Sequence, residues 1–437
     1  MTLYFETTIY RVGRRVGSFG AAVPSDKERK EDVMAKRFTK NEWDKIEREL
    51  SVKPSTYGMP EGGREESVVL ASFNIRKLGA SKNRVRELAF MARFCARCDL
   101  VAIQEVQDDL SGLCDLRDRV NERVSSAGEY GLVVSDITGQ VPGETGMAER
   151  LAFLYRRSRV RRTAMASDLT VDRTGVIEHF ADNEAAIIAA WHKFKDDTKK
   201  YEDGDRKRKP TFRMPAFITF TRTPHVTAFE IPGADGKALA FIAVNAHLIY
   251  GSQKERDAEF RALVEWMTNR LVREKNMVAP NFILLGDLNL NFDQPRKDHA
   301  RIAEFLRSLN AKVFKRAEAR RIYFPFIDPH PATDRVLRST ARQTQTFDQI
   351  AFLRGRREKL LPNNRWRASV GSGPDAFDYG VFNFTDLFAT ALKGGKYLGL
   401  SKADRDDLNP LFQHSVSDHL PIWVRIPRPG FTTPPDA

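Results

Sequence analysis

The feature that most constrains the fold is a series of apolar segments of strand length, several of which end in a polar residue. They read "SVVLASFNI", "DLVAIQEV", "YGLVVSDI", "RLAFLYRRSRV", "AFITFTRT", "ALAFIAVNAHLI", "NFILLGDL", "TFDQIAFL" and "LPIWVRI". Two amphipathic helices, "RVRELAFMARFC" and "SQKERDAEFRALVEWMTNRLVREK", interrupt the series. Many strands with few helices between them predict two β-sheets covered by outer helices, and not a strict alternation of strand and helix.

The chain divides into three parts by composition. At 437 residues it exceeds the usual size of one domain. We predict a charged, helical extension over residues 1–66, a main domain over residues 67–426 and a tail over residues 427–437. The sequence shows no internal repeat.

Two segments outside the strand series have a less obvious role. "TKNEWDKIEREL" places Thr39 and Glu42 at capping-box spacing, followed by apolar residues at helical spacing. Residues 39–50 are therefore predicted to form a helix that packs on the main domain or binds a partner protein. The charged segment at 191–210, "WHKFKDDTKKYEDGDRKRKP", is interpreted as an insertion that forms a solvated loop.

The charge of the chain favours a polyanionic partner. The formal net charge is 71 − 58 = +13, and residues 1–66 contribute only 13 − 12 = +1 of it, so +12 lies in residues 67–437. Nucleic acid and an anionic membrane surface both fit this excess. The candidate basic clusters are "KVFKRAEARR", "RGRREK" and Arg206–Lys209.

Cysteine usage and hydropathy point to the cytoplasm. Three cysteines, an odd number, do not form a disulfide framework, and Cys95 and Cys98 lie at helical spacing, which favours buried thiols over a metal site. The sequence contains neither a secretory leader nor an apolar run of about 18 residues. We therefore expect a cytoplasmic protein; its oligomeric state is not predicted.

Polar, ionisable or amide residues adjoin the strands one after another. Sheets gather strand ends along one rim, where active sites form. A set of such residues is therefore expected to converge there: Asn74, Glu105, Glu149, His247, Asp287, Asn289, Asp348, Asp418 and His419.

The residue types in this set indicate phosphoester hydrolysis. A hard oxygen ligand such as Glu105 suits Mg²⁺ or Mn²⁺, which bind through one or two carboxylates together with substrate phosphate. Histidines paired with carboxylates share acid and base duty near neutral pH. Asn74 and Asn289 supply neutral donors, and Arg213 a forked cation, to charge that develops on a phosphate.

The motifs occur in an order that resembles a known family. "ASFNIR", "VAIQEV", "ERLAFLYR", "NAHL", "GDLN", "FDQI" and "SDHLPI" together resemble the endonuclease/exonuclease/phosphatase superfamily, and most closely its deoxyribonuclease I branch. The resemblance spans Ser67 to Ile426. It implies a four-layer α/β/β/α sandwich of two mixed β-sheets with outer helices, so that residues 67–426 would form the catalytic domain.

The resemblance also implies a role for each residue that matches a motif. Glu105 would be the main metal ligand, with Asn74 and Asp418 beside the ion. Asp287 and Asn289 would hold the attacking water and the scissile phosphate. The remaining roles are two acid–base pairs, Glu149 with His247 and Asp348 with His419, and two arginines that contact phosphate or the nucleic-acid backbone, Arg213 and Arg76.

One departure from the family pattern bears on the substrate. Gln107 stands where the family has an arginine that enters the DNA minor groove. A neutral amide lacks that electrostatic attraction. The sequence therefore favours an endonuclease that cleaves DNA or RNA with weak preference for duplex sequence or groove width and that tolerates single strands. A phosphoinositide phosphatase or a sphingomyelinase-type phospholipase acting at an anionic membrane is the alternative.

Overall fold

The fold is known from a computed structural model, and residues 37–437 form one compact unit. The structure describes residues 37–431 except 81–83, 125–127, 140–147, 170, 172, 235, 273–277, 311–321, 356–357, 359 and 362–377. The predicted basic cluster "KVFKRAEARR" lies outside the described residues, as do part of "RGRREK", residues 1–36 of the extension and residues 432–437 of the tail.

Twelve strands are described, and most of them coincide with the apolar segments of the sequence. They are β1 (Ser67–Leu78), β2 (Leu100–Val106), β3 (Tyr130–Val134), β4 (Arg150–Arg156), β5 (Arg161–Asp168), β6 (His225–Pro232), β7 (Ala238–His247), β8 (Phe282–Asp287), β9 (Ile322–Tyr323), β10 (Asp348–Leu353), β11 (Asp378–Val381) and β12 (Ile422–Pro427).

Eight α-helices are described between the strands or beside them. They are α1 (Lys40–Val52), α2 (Val85–Cys95), α3 (Ser111–Arg123), α4 (Arg173–Glu202), α5 (Gln253–Val272), α6 (Pro295–Asn310), α7 (Phe384–Lys393) and α8 (Lys402–Ser415).

The strands form two mixed sheets of six strands each. The first has the order β11-β12-β1-β2-β4-β3, and the second has the order β5-β6-β7-β8-β10-β9. β1 pairs with β2 in parallel, and β7 pairs with β8 in parallel, whereas their other pairings are antiparallel. Each sheet therefore has a parallel pair at its centre, whose carboxyl ends lie at one edge.

Three apolar cores hold the layers together. One lies between the two sheets and includes Phe153, Phe229 and Phe352. A second covers the outer face of the first sheet with α1, α2, α3, α7 and α8, and a third covers the outer face of the second sheet with residues of α5 and α6. This arrangement confirms the predicted four-layer α/β/β/α sandwich.

The predicted helix of the N-terminal extension packs against the main body. α1 begins at a capping box in which Thr39 and Glu42 satisfy each other's backbone N–H groups. Trp43, Ile46 and Leu50 are buried in the core that covers the first sheet. The chain itself therefore covers the apolar face of this helix, and a protein partner for residues 39–50 stays a prediction. The division at residue 66 stays a prediction.

Two other expectations need correction. Residues 191–202 are not a loop, because they form the last turns of the 30-residue helix α4. "AFITFTRT" is not a strand, because the ladder starts only at His225. In that segment the backbone N–H of Thr221 donates to the Glu259 carboxylate at 2.7 Å, and Pro224 has no N–H to offer a sheet.

Candidate active site

The edge of the sandwich where the parallel pairs end carries the predicted residues. His247 closes β7 and lies in register with Asp287 at the end of β8. Asp348 opens β10 and is also in register with Asp287, because β10 runs antiparallel to β8. Local strand pairing therefore places Asp287 between a histidine and a second carboxylate.

Gly286 makes this close approach possible. Its φ is +151°, and a Cβ built on it would lie 1.9 Å from the carbonyl oxygen of Ala246. A side chain at this position would push β8 away from β7 one residue before His247 and Asp287. The glycine of the "GDLN" motif is therefore required for the geometry of the site.

Asp287 is the centre of the site. Its Oδ2 lies 3.6 Å from Nε2 of His247 and 3.5 Å from Nε2 of His419. Asn74 donates from Nδ2 to the same oxygen at 3.1 Å, and the backbone N–H of Asn289 donates to Oδ1 at 2.8 Å. The side chain of Asp287 is 1% exposed, so its charge is held by these four groups and not by bulk water.

Each histidine has a second carboxylate behind it. Nδ1 of His247 lies 2.6 Å from Oε1 of Glu149, and Nδ1 of His419 lies 2.8 Å from Oδ2 of Asp348. A carboxylate at Nδ1 fixes the orientation of the imidazole ring and leaves Nε2 facing Asp287 and the cavity. The two predicted pairs, Glu149 with His247 and Asp348 with His419, are both formed.

The electrostatics of the cluster raise the pKa of both histidines. Burial and the charge of Arg222 both lower the pKa of His247, but the charge and hydrogen bond of Glu149, with the charge of Asp287, outweigh them and leave the pKa raised. Burial lowers the pKa of His419, yet the charges of Asp348 and Asp287 raise it well above its ordinary value. Burial raises the pKa of Asp287, but the charges of the two histidines lower it by more, so its pKa lies below its ordinary value and the carboxylate stays ionised.

Arg222 is a residue of this site that sequence reasoning missed. Its guanidinium Nε lies 3.1 Å from Oε1 of Glu149, and both side chains are less than 10% exposed. Arg213, which was expected to contact phosphate, is exposed and is not among the residues that line the cavity. A signal was present, because Arg222 and Pro224 repeat the Arg-x-Pro spacing of Arg213 and Pro215 directly before a strand. The phosphate-binding role of Arg213 stays a prediction.

A single carboxylate holds the two loops that carry these residues. Glu259, on α5, accepts the backbone N–H of Thr221 and that of Ile249, each at 2.7 Å. Thr221 directly precedes Arg222, and Ile249 follows His247 by two residues. Glu259 is buried and therefore positions both loops against the same helix.

A polar network beneath the site joins the two sheets. Gln104 donates to the side-chain oxygen of Asn245 at 2.7 Å, and Asn245 donates to the backbone carbonyls of Ile103 and Ala152. Gln104 comes directly before Glu105 in the chain, and Asn245 comes two residues before His247. They join β2 of the first sheet to β7 of the second sheet, a role that sequence reasoning did not predict.

The predicted metal ligands lie at the end of the first sheet. Nδ2 of Asn74 lies 3.4 Å from Oε1 of Glu105, and the backbone N–H of Lys77 donates to Oε2 at 3.2 Å. Glu105 has a φ of +59°, a left-handed conformation that costs a non-glycine residue about 1–3 kcal/mol and is typical of functional sites. The strain turns the carboxylate into the cavity at a bulge in β2.

The donor set fits a hard cation. Oδ1 of Asn74 and Oδ1 of Asp418 are buried and have no hydrogen-bond partner among the described residues. Buried acceptors without a partner are costly, and oxygen atoms are the ligands that Mg²⁺ and Mn²⁺ prefer. Glu105, Asn74 and Asp418 therefore fit a divalent metal, and Arg76 lies beside them, with Nε 3.8 Å from Oδ2 of Asp418.

Three residues of the site form another group of possible metal ligands. Asp287, Asp348 and His419 bring one atom each within 4.8 Å of one another. The two carboxylates each face a ring nitrogen of His419 and raise its pKa well above its ordinary value. Both carboxylates therefore already have a partner in this imidazole ring.

The cavity above these residues has a volume of about 390 Å³. Glu105, Arg222, His247, Asp287, Asn289, Asp418 and His419 line it together with Tyr250, Thr340, Ala341, Arg342, Thr344, Gln345, Phe347, Asn409 and Gln413. Asn289 has a φ of +51°, and its side-chain amide donates to the backbone carbonyl of Leu248 at 2.7 Å. One cavity therefore contains the predicted metal side, the two histidines and additional cations.

Comparison with known proteins agrees with the motif order. Human deoxyribonuclease gamma is 25% identical over 221 residues, which cover 50% of this chain and 55% of that protein. Mouse deoxyribonuclease gamma is 30% identical over 222 residues, 50% of this chain and 54% of that protein. The chain resembles the deoxyribonuclease I branch. It spans about half the length of the curated relatives it matches.

The remaining comparisons are with protein-family models and with solved structures. No protein-family model matches the chain. Among solved structures, an endonuclease/exonuclease/phosphatase family protein from Bacteroides thetaiotaomicron aligns with a TM-score of 0.41 and 14% identity, over 84% of this chain and 98% of that chain. The human Nocturnin catalytic domain aligns with a TM-score of 0.41 and 10% identity, over 84% and 94%. Among the described residues, no helix is long and apolar enough to cross a membrane.

Proposed function

We propose that this protein is a divalent-metal-dependent phosphodiester hydrolase, and specifically a nuclease that cleaves DNA or RNA with Mg²⁺ or Mn²⁺. The observation that carries the proposal is the position of one ionised carboxylate, Asp287, within 3.6 Å of two histidines that each have a second carboxylate behind them. The similarity to deoxyribonuclease gamma supports nucleic acid as the substrate.

The residues divide the chemistry between them. Asp287 is ionised and faces the cavity, so it orients a water molecule and accepts its proton as the water attacks phosphorus. The pKa of His419 is raised by Asp348 and Asp287, and its Nε2 lies 3.5 Å from Asp287, so in its protonated form it donates a hydrogen bond to the phosphate and a proton to the leaving oxygen. His247 and Arg222 stabilise the charge that develops on the phosphate oxygens.

The predicted metal would act at the other side of the same cavity. Glu105, Asn74 and Asp418 would hold it, and when bound it would neutralise charge on the phosphate. Arg342 lines the cavity and adds a further cation for a polyanionic substrate. Binding along several phosphates would then follow the general positive charge of the chain.

The test compares substrates with and without metal. The full chain is incubated with single-stranded DNA, duplex DNA, RNA and a phosphoinositide panel, each with Mg²⁺, Mn²⁺ or EDTA. We expect cleavage of nucleic acid that EDTA abolishes. A Glu105→Gln variant should lose at least about 100-fold in rate, while Glu61→Gln, which changes an exposed carboxylate on the surface, should match the wild type. Undiminished activity in EDTA would refute the metal, and hydrolysis of phosphoinositides alone would refute the substrate.

A further inference from the structure

Tyr250 is an exposed aromatic ring at the mouth of the cavity. It follows His247 by three residues, lines the cavity and is 72% exposed. Among the described residues, it is the one large apolar side chain that both lines this cavity and is exposed. Single exposed aromatic residues are common on protein surfaces, so exposure by itself indicates nothing.

What distinguishes Tyr250 is that its ring is held in place. Phe347, which is buried, contacts it edge-to-face with ring centroids 6.3 Å apart. The guanidinium of Arg256 lies 5.9 Å from the Tyr250 ring centroid. Arg256 is itself fixed, because Nη1 donates to the backbone carbonyl of Asn289 at 2.9 Å and Nη2 donates to Oε1 of Gln253.

The supports of the ring are continuous with the reactive groups. The ring centroids of Phe347 and His419 lie 6.4 Å apart, and Phe347 directly precedes Asp348 in the chain. Asn289, whose carbonyl holds Arg256, also donates its backbone N–H to Asp287. The aromatic ring therefore shares its supporting residues, Phe347 and Asn289, with His419 and Asp287.

This arrangement presents two kinds of chemistry side by side. The floor of the cavity is lined by Arg222, His247 and His419, side chains that can donate hydrogen bonds to a phosphate, and its rim carries the ring of Tyr250 with the guanidinium of Arg256 beside it. A nucleotide unit presents the complementary pair, a phosphate and an aromatic base. A phospholipid would instead require a contiguous apolar surface, and the described part of the cavity rim offers a single exposed ring.

We infer that Tyr250 stacks on the nucleobase next to the scissile phosphate and is a specificity-determining residue for unpaired nucleic acid. The inference rests on the proposed nuclease function. Stacking on an aromatic side chain tolerates any base, because each base has a π-face, but it requires a base that is free of its duplex neighbour. The preferred substrates are therefore single strands and unpaired ends.

The experiment isolates the base from the phosphate. The substrate is a single-stranded oligonucleotide with one hydrolysable phosphodiester, its other linkages being methylphosphonates. The sugar on either side of that phosphate carries a base or is abasic. The wild type is compared with Tyr250→Ala, Tyr250→Phe and Tyr201→Ala, the last being an exposed tyrosine on α4 that does not line the cavity.

We expect Tyr250→Ala to lower kcat/KM about 10- to 100-fold on the base-containing substrate and by less than about twofold on the abasic one. Tyr250→Phe keeps the ring and should stay within about threefold of the wild type on both. Tyr201→Ala should match the wild type. The wild type itself should cleave the abasic substrate as slowly as Tyr250→Ala cleaves the intact one.

Each other outcome overturns a defined statement. Equal losses on both substrates with a lowered melting temperature would show that Tyr250 only supports the loop. Unchanged cleavage by Tyr250→Ala would remove the stacking role and leave the nuclease proposal intact. A loss confined to hydrolysis of phosphoinositide-containing vesicles would make Tyr250 a membrane contact. If the wild type cleaves no nucleic acid, the proposed function itself fails.

Discussion

Replacing Asp287 by asparagine tests the site at its centre. The buried cluster sets three carboxyl groups, Glu149, Asp287 and Asp348, beside Arg222, His247 and His419. Asp287→Asn changes no heavy-atom count but removes one negative charge from between the two histidines, whose pKa values it helps to raise. It leaves one buried positive charge without a counterion.

The geometry also denies the new amide a good orientation. In the wild type, Oδ2 of Asp287 accepts from Asn74 at 3.1 Å and Oδ1 accepts from the backbone N–H of Asn289 at 2.8 Å. An asparagine at 287 must point its NH₂ group at one of these two donors, whichever way the amide is turned. One hydrogen bond is therefore lost, in addition to the charge.

The expected magnitudes follow from these two losses. Breaking a buried ion pair by removing one partner costs about 3–5 kcal/mol of stability. Losing the group that accepts the proton of the attacking water should lower the rate by about 10²–10⁴. Stability is measured by urea denaturation at pH 7 in EDTA, and rate by single-turnover cleavage of a labelled oligonucleotide with Mg²⁺.

Asp328→Asn is the matched control. Asp328 pairs with His299 at 2.6 Å, but the two side chains are 40% and 49% exposed, and neither lines the cavity. An exposed pair is worth about 0–1 kcal/mol, so this variant should be nearly as stable and as active as the wild type. If Asp287→Asn were within tenfold of wild-type activity, or no less stable than Asp328→Asn, the central role of Asp287 would be refuted.

Three further predictions concern the surroundings of Asp287. Asn74→Ala should weaken the binding of Mg²⁺ and so raise the Mg²⁺ concentration that gives half the maximal rate, because it removes the unpaired oxygen beside Glu105. An unchanged half-maximal Mg²⁺ concentration would exclude Asn74 from the metal site. His247 has a folded pKa above its ordinary 6.5, so its stabilising contribution is complete below that pH and is lost as pH rises through the folded pKa. The difference in free energy of unfolding between the wild type and His247→Gln should therefore shrink as pH rises, and a difference that grows would contradict the sign. Arg222→Met removes a charge that lowers the pKa of His247, so the part of the pH–rate profile that reflects titration of this histidine should move to higher pH. A move to lower pH would show that the charge of Arg222 does not lower this pKa.

Sequence patterns were sufficient where a property is local. Apolar runs of strand length predict most of the strands, because a strand buried on both faces needs an unbroken apolar surface. Glu105, His247, Asp287, Asp348 and His419 were identifiable because each adjoins such a run. The capping box of α1 likewise depends on residues only three positions apart.

The sequence also misled where the local pattern was ambiguous. "AFITFTRT" has the composition of a strand, but Glu259, 38 residues further along the chain, takes the backbone N–H of Thr221. The charged residues at 191–202 resemble a solvated loop, yet they continue a helix that starts at Arg173. In both cases the outcome depends on residues beyond the segment itself.

The sequence by itself determined most of the strands and the polar residues that adjoin them. Only the tertiary structure decided which of these residues come together. It placed Asp287 between two histidines that lie 40 and 132 residues away in the chain, placed Arg222 beside Glu149 at the site and placed Tyr250 between Phe347 and Arg256. The physical reason is that backbone propensity and burial act over a few residues, whereas hydrogen bonds and charges act between groups that meet only when the two sheets pack.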